Sequence, residues 1–236
     1  HNSIAKPDRL VDNTTLWVED FNRDYYMDML FNDSEGANSM RNYFIEQSSN
    51  RYTVYGDATD WVSLPGVACD YDDGDPGPGG ALEVWQFLID SVNGWYDAQI
   101  AAGKTPAEID AYLSDFDLWD RYDYDGDGNF DEPDGYIDHM QFVHAGEGNE
   151  AGGGALGDCA IWSHSWFAYY NLIGIDGPAF NPFGGVQIGD SAFWLNKYTI
   201  QPENGGVGVF THEYAHDLGL PDLYDYTGEN ATGFWT

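Results

Sequence analysis

Apolar residues recur at helical spacing through WVEDFNRDYYMDMLF (17–31), where Phe21, Tyr25, Met29 and Leu30 share one face. MRNYFIEQS (40–48) repeats that period and predicts a second helix. ALEVWQFLIDSVNGWYDAQI (81–100) predicts a long one burying Leu82, Trp85, Leu88, Ile89 and Val92. Thr105-Pro106-Ala107-Glu108 reads as a helix start, with a capping hydroxyl, a proline at the first position and an acid that closes a capping box. The period changes to two in RYTVYGDATDWVSLP (51–65), which predicts a strand stopped by Pro65. YIDHMQFVHAG (136–146) predicts another strand, and AIWSHSW (160–166) a third strand or an edge. A last helix runs from near Val207 to Gly219. Helices packed on a mixed sheet, the last helix carrying the chemistry, make this an α+β chain with no internal repeat and no domain boundary.

Composition narrows the class. The 236 residues are 42% apolar and 17% aromatic, a globular makeup. No apolar run approaches the roughly 20 residues of a membrane span. The opening HNSIAKPDRL carries no apolar signal segment, as in a mature or trimmed chain. Asp and Glu number 41 against 8 Lys and Arg, for a net charge of −33. Nucleic acid and anionic membranes are poor partners for such a surface. The two cysteines, Cys69 and Cys159, read as one disulfide, the usual use of a cysteine pair in an extracellular protein.

Candidate chemistry centres on FTHEYAHDLGLPDLYD (210–225). His212 and His216 are four residues apart, so both imidazoles leave one face of a helix and can bind one Zn²⁺. Glu213 sits beside the first histidine, placed to act on a water and not on the metal. Catalytic zinc takes three protein ligands. Gly219 ends the helix and lets the chain double back, and Leu220-Pro221 delivers Asp222 six residues after His216. Asp222 is the favoured third ligand, with Asp225 and Glu229 as alternatives reached by a longer loop. Asp217 reads as a solvated group or a support for its neighbour. His139, His144 and His164 have no partner motif and read as structural.

DYDGDGNFDEPD (123–134) has calcium-loop spacing. Asp123, Asp125 and Asp127 take positions 1, 3 and 5, and Gly128 takes the sharp turn at 6. Asn129 offers its carbonyl at 7 and Asp131 a contact at 9. Asp134 stands at 12, where a longer Glu is usual, so either the loop draws in or Glu132 substitutes. Pro133 argues against a regular exiting helix.

The stretch HEYAHDLGLPDLYD resembles the zinc-binding segment of the immune inhibitor A-type secreted metallopeptidases. HNSIAKPDR, WVEDFNRDYYMDMLF, DRYDYDGDGNFDEPDGYIDH and HAGEGNEAGGG followed by IWSHSW resemble that family's catalytic domain in the same order. The resemblance implies a zincin-like fold, endopeptidase activity on protein or peptide substrates, secretion and structural Ca²⁺. By position it implies His212 and His216 as zinc ligands and Glu213 as general base. Asp222 follows from the extended His-Glu-x-x-His-x-x-Gly-x-x-Asp pattern of related zincins. The resemblance also implies that residues 1–236 are one catalytic domain, an internal piece without the family's first strand and methionine turn, since no Met follows Met140. Two other readings compete: a non-catalytic extracellular calcium-binding or adhesion module, and a zinc hydrolase acting on a non-peptide amide.

Overall fold

A computed structural model describes residues 6, 8, 10, 11, 16–72 and 80–222. Five α-helices lie among them: α1 (Arg23–Phe31), α2 (Met40–Gln47), α3 (Gly80–Ala101), α4 (Pro106–Leu113) and α5 (Gly206–Asp217). Local chemistry sets several of their starts. Asn22 Oδ1 accepts the N–H of Tyr25 at 2.9 Å, and Ser39 Oγ that of Asn42 at 3.1 Å. Thr105 and Glu108 close the reciprocal box predicted for α4. Such caps contribute about 1 kcal/mol each.

The strands are β1 (Gln141–His144), β2 (His164–Phe167), β3 (Val186–Gln187), β4 (Trp194–Leu195) and β5 (Lys197–Pro202). β5 is central in a three-stranded mixed sheet, order β1-β5-β2, parallel to β1 and antiparallel to β2. β3 and β4 form a separate two-stranded pair. Phe142, Tyr198 and Ile200 join Trp85, Leu88 and Val92 of α3 in one apolar cluster. A second cluster gathers Phe21, Tyr26, Met29, Met40 and Phe44 around Phe210 and Tyr214 of α5. Phe210 is fully buried there, and Phe210→Ala would cost about 3–5 kcal/mol. α5 packs against β5, β2, α1 and α2.

Two expectations are corrected. Leu82 is exposed, and the described core residues of α3 begin at Val84. The alternating run 51–65 forms no strand. Its groups are held by side chains instead: Arg23 Nε donates to the Ala58 carbonyl at 2.6 Å, and Trp61 Nε1 to that of Phe21 at 2.6 Å. The run lines a cavity of about 730 Å³ together with β1, Phe210 and Tyr214. The Cys69–Cys159 disulfide is present, tying the segment before α3 to the turn ahead of β2 across 90 residues.

Candidate metal centre

α5 is two-faced. Phe210 and Tyr214 point into the core, while His212 and His216, also one turn apart, leave the opposite side. Gly219 adopts φ +89, a conformation that only glycine takes without strain. The chain then reverses: Gly219 N–H donates to the His216 carbonyl at 2.9 Å and Leu220 N–H to that of Ala215 at 3.0 Å. The reversal returns Asp222 to the imidazoles. Asp222 Oδ1 lies 3.3 Å from His212 Nε2 and 3.2 Å from His216 Nε2, and the two Nε2 atoms are 3.1 Å apart.

Those separations fit one ion. Three donors on one face of a tetrahedral zinc, each about 2.0–2.1 Å from the metal, stand about 3.3–3.4 Å apart. His216 Nδ1 lies 2.7 Å from the Leu220 carbonyl. Carrying its proton there, the ring turns a bare Nε2 toward the other donors. Burial, then the neighbouring His216, hold the His212 imidazole below the ordinary histidine range, against the pull of Asp222. Both effects favour the neutral ring that ligates metal. Asp225 and Glu229 lie outside the described residues.

Glu213 is buried, and its Oε2 has no hydrogen-bond partner among the described residues. Burial, then the charges of Glu150 and Asp222, push its carboxyl up to about 8. Glu150 comes from HAGEGNEAGGG and is held by Ser163, whose N–H and Oγ donate to it at 3.1 and 2.6 Å. The segment 144–154 therefore supplies a carboxylate whose charge is felt at Glu213. The 730 Å³ cavity is lined by neither imidazole of the pair, nor by Glu213 or Asp222, so it is not their cleft.

The immune inhibitor A peptidase M6 catalytic-domain family model matches residues 1–236. The chain belongs to this family. It is 42% identical over 238 residues to "Immune inhibitor A" of Bacillus thuringiensis subsp. alesti, covering 97% of this chain and 32% of that protein. It is 37% identical over 236 residues to "Pre-pro-metalloprotease PrtV" of Vibrio cholerae serotype O1, covering 95% of this chain and 24% of that protein. The chain thus spans about a third or less of the curated relatives it matches.

Behind the pair, Asp217 is buried and in contact with His139, Arg121 and Lys197. Burial alone would push its carboxyl up, but the His139 hydrogen bond and charge, then Arg121 and Lys197, hold it below the usual range. Reading it as solvated is therefore corrected. His144 Nδ1 faces the Ala145 carbonyl at 3.1 Å, and His164 bridges the Trp162 carbonyl and the Tyr198 hydroxyl at 2.7 and 3.0 Å. His139 is instead drawn to the end of α5. No local signal marks Arg121, His139 or Lys197, which lie 96, 78 and 20 residues from Asp217.

In the acidic loop, Asp123 Oδ1 accepts the N–H of Gly128 at 2.9 Å, and Asp125 Oδ1 that of Asp127 at 3.0 Å. Asp127 and Asn129 continue the series toward Asn129 and Asp131. Two groups of carboxylates with ligand atoms within 4.8 Å result: Asp123, Asp125 and Asp127, and Asp120, Asp125 and Glu132. Asp134 is in neither group. It is buried, its Oδ1 accepting the N–H of Tyr136 and its own N–H donating to Asp117, each at 2.9 Å. Glu132 is grouped instead with Asp120 and Asp125.

Proposed function

We propose that this chain is the catalytic domain of a secreted zinc-dependent endopeptidase, with His212, His216 and Asp222 as the metal ligands and Glu213 as the general base. The observation that carries the reading is the mutual 3.1–3.3 Å spacing of the two imidazoles and the carboxylate. When bound, zinc supplies Lewis acidity toward a scissile carbonyl and a water. Glu213 takes the proton of the attacking water on its carboxylate and hands it to the leaving amine, splitting the peptide bond into an acid and an amine. Its burial beside the donors excludes bulk water and raises its basicity, which suits a group that must both take and return a proton. An adhesion module has no use for such a buried, unsatisfied carboxylate.

Among the described residues β2 is an edge strand, and it packs on α5, so an extended substrate would add to that edge by main-chain hydrogen bonds. The zincin-like architecture is part of the same proposal, supported by a mixed sheet packed on the helix that carries both histidines. So is secretion, supported by the disulfide. We further read the loop 120–132 as a structural calcium site, on the nested side-chain turns and the two carboxylate groups that share Asp125.

Purified protein should contain one zinc per chain and hydrolyse casein. Activity should disappear with 1,10-phenanthroline and return with added zinc. Zinc-free protein of full activity would refute the proposal.

A further inference from the structure

Only eight Lys and Arg stand against 41 Asp and Glu in this chain. Two of the eight, Arg121 and Lys197, meet at one buried aspartate. Asp217 is the last residue of α5 and 2% exposed. Arg121 Nη1 donates to its Oδ1 at 3.3 Å, Lys197 Nζ lies 3.6 Å from the same oxygen, and His139 Nδ1 contacts Oδ2. The two cations also reach the backbone. Lys197 Nζ donates to the carbonyls of His216 and Asp217 at 3.0 and 2.7 Å, and Arg121 Nη2 to that of Asp217 at 2.5 Å. These belong to the last turn, whose carbonyls lack intrahelical partners and carry partial negative charge.

An aspartate is the wrong sign for this end of a helix. Burying it costs several kcal/mol unless it is fully paired, and an apolar residue would fill the same volume without that cost. The arrangement has a consequence beyond stability. The carbonyl gripped by Lys197 is that of His216, which also takes the Gly219 N–H that starts the reversal. The reversed chain brings the Leu220 carbonyl to His216 Nδ1, and Asp222 to both imidazoles. A fraying or rotation of this turn therefore moves two donors of the triangle relative to His212.

We infer that Asp217, gripped by Arg121, Lys197 and His139, is a positioning residue that fixes the last turn of α5 and so holds the three metal donors at ligating distance. The clasp rests on the reading of His212, His216 and Asp222 as the zinc site. None of its four residues is catalytic, and each acts through the helix end.

The test uses the full chain and reads zinc affinity by chelator competition, the melting temperature of the metal-free protein, and kcat with KM. His212→Ala comes first. Loss of its zinc establishes the site, so that any later failure counts against the clasp alone; retained zinc overturns the site and the clasp together. Lys197→Met and Arg121→Gln should then weaken zinc binding by about 10–100-fold, the scale for residues that orient ligands. kcat should fall while KM holds, since substrate binding is untouched. Lys197→Arg should restore most of the zinc affinity. The visible absorption of the cobalt-substituted protein should change in Lys197→Met and return in Lys197→Arg. If both Lys197→Met and Arg121→Gln lower only the metal-free melting temperature, with zinc affinity, kcat and the cobalt spectrum unmoved, the clasp is merely structural and the inference fails. Should Lys197→Met not fold, Arg121→Gln carries the same readouts and decides alone.

Discussion

Nδ1 of His216 lies 2.7 Å from the carbonyl oxygen of Leu220, four residues further along a chain that has turned back on itself. The contact links the end of α5 to the segment that brings in Asp222. It fixes which imidazole nitrogen carries the proton, and leaves the other facing His212 and Asp222 at 3.1–3.2 Å. Helix end, His216 tautomer and the return of Asp222 thus depend on one reversal at Gly219.

Asp222→Ala should weaken zinc binding strongly and remove most activity. The metal-free melting temperature should hardly move, since Asp222 lies beyond the end of α5 and its loss leaves the core intact. Chelator competition and calorimetry read the two separately. Normal zinc affinity in this variant would move the third ligand elsewhere.

Glu213→Gln should retain stoichiometric zinc and lose about 10²–10⁴-fold in kcat, the scale of general acid–base catalysis. The metal-free protein should be no less stable, because Oε2 of the native carboxylate already lacks a partner among the described residues. Turnover near wild type on casein would remove Glu213 from the mechanism.

Cys69→Ala with Cys159→Ala should destabilise the protein by about 4 kcal/mol through freed loop entropy. Thiol titration of the unreduced, denatured chain should find no free thiol. Two thiols per chain would contradict the bridge.

His144→Gln should flatten the loss of stability on acidification. Burial is the main cause that holds the His144 imidazole below the ordinary histidine range, with His164 adding to it and Glu150 and the neighbouring backbone opposing. Unfolded chains take up this proton near 6.5 and the folded chain does not, so the native state loses stability as pH falls below about 6.5. Buried acids such as Asp134, pushed up to about 7, act in the opposite sense. They are common to both proteins, so the difference between wild type and His144→Gln isolates the histidine. Parallel stability curves from pH 7 to 4.5 would refute this.

Calcium should raise the melting temperature of wild type, and EGTA should lower it. Asp125→Asn should abolish the gain, because Asp125 belongs to both carboxylate groups. Asp134→Asn should keep it, because that side chain is engaged with Tyr136 and not with the loop carboxylates. Equal calcium responses in the two variants would show that the loop is not the site.

Much of α5 and of its candidate site was legible in the chain. The four-residue spacing of His212 and His216 puts them on one face by helix geometry alone. Gly219 announces the reversal, because its positive φ suits no other residue. The Thr105–Glu108 box was likewise readable, since cap and partner lie within three residues. Short-range rules suffice for such features. The run 51–65 failed because alternation signals only that a segment could pair; whether a ladder forms depends on a neighbour the sequence does not name. Asp134 stands apart from the loop carboxylates for a similar reason: Asp117, 17 residues upstream, takes its N–H. The convergence of Arg121, His139 and Lys197 on Asp217 has no local trace at all. The sequence by itself determined that His212 and His216 share a helix face with Glu213 beside them, and that the chain turns at Gly219. Only the tertiary structure decided what holds that turn in place, because a buried charge is compensated by whichever side chains packing brings to it, and packing is set by the whole chain.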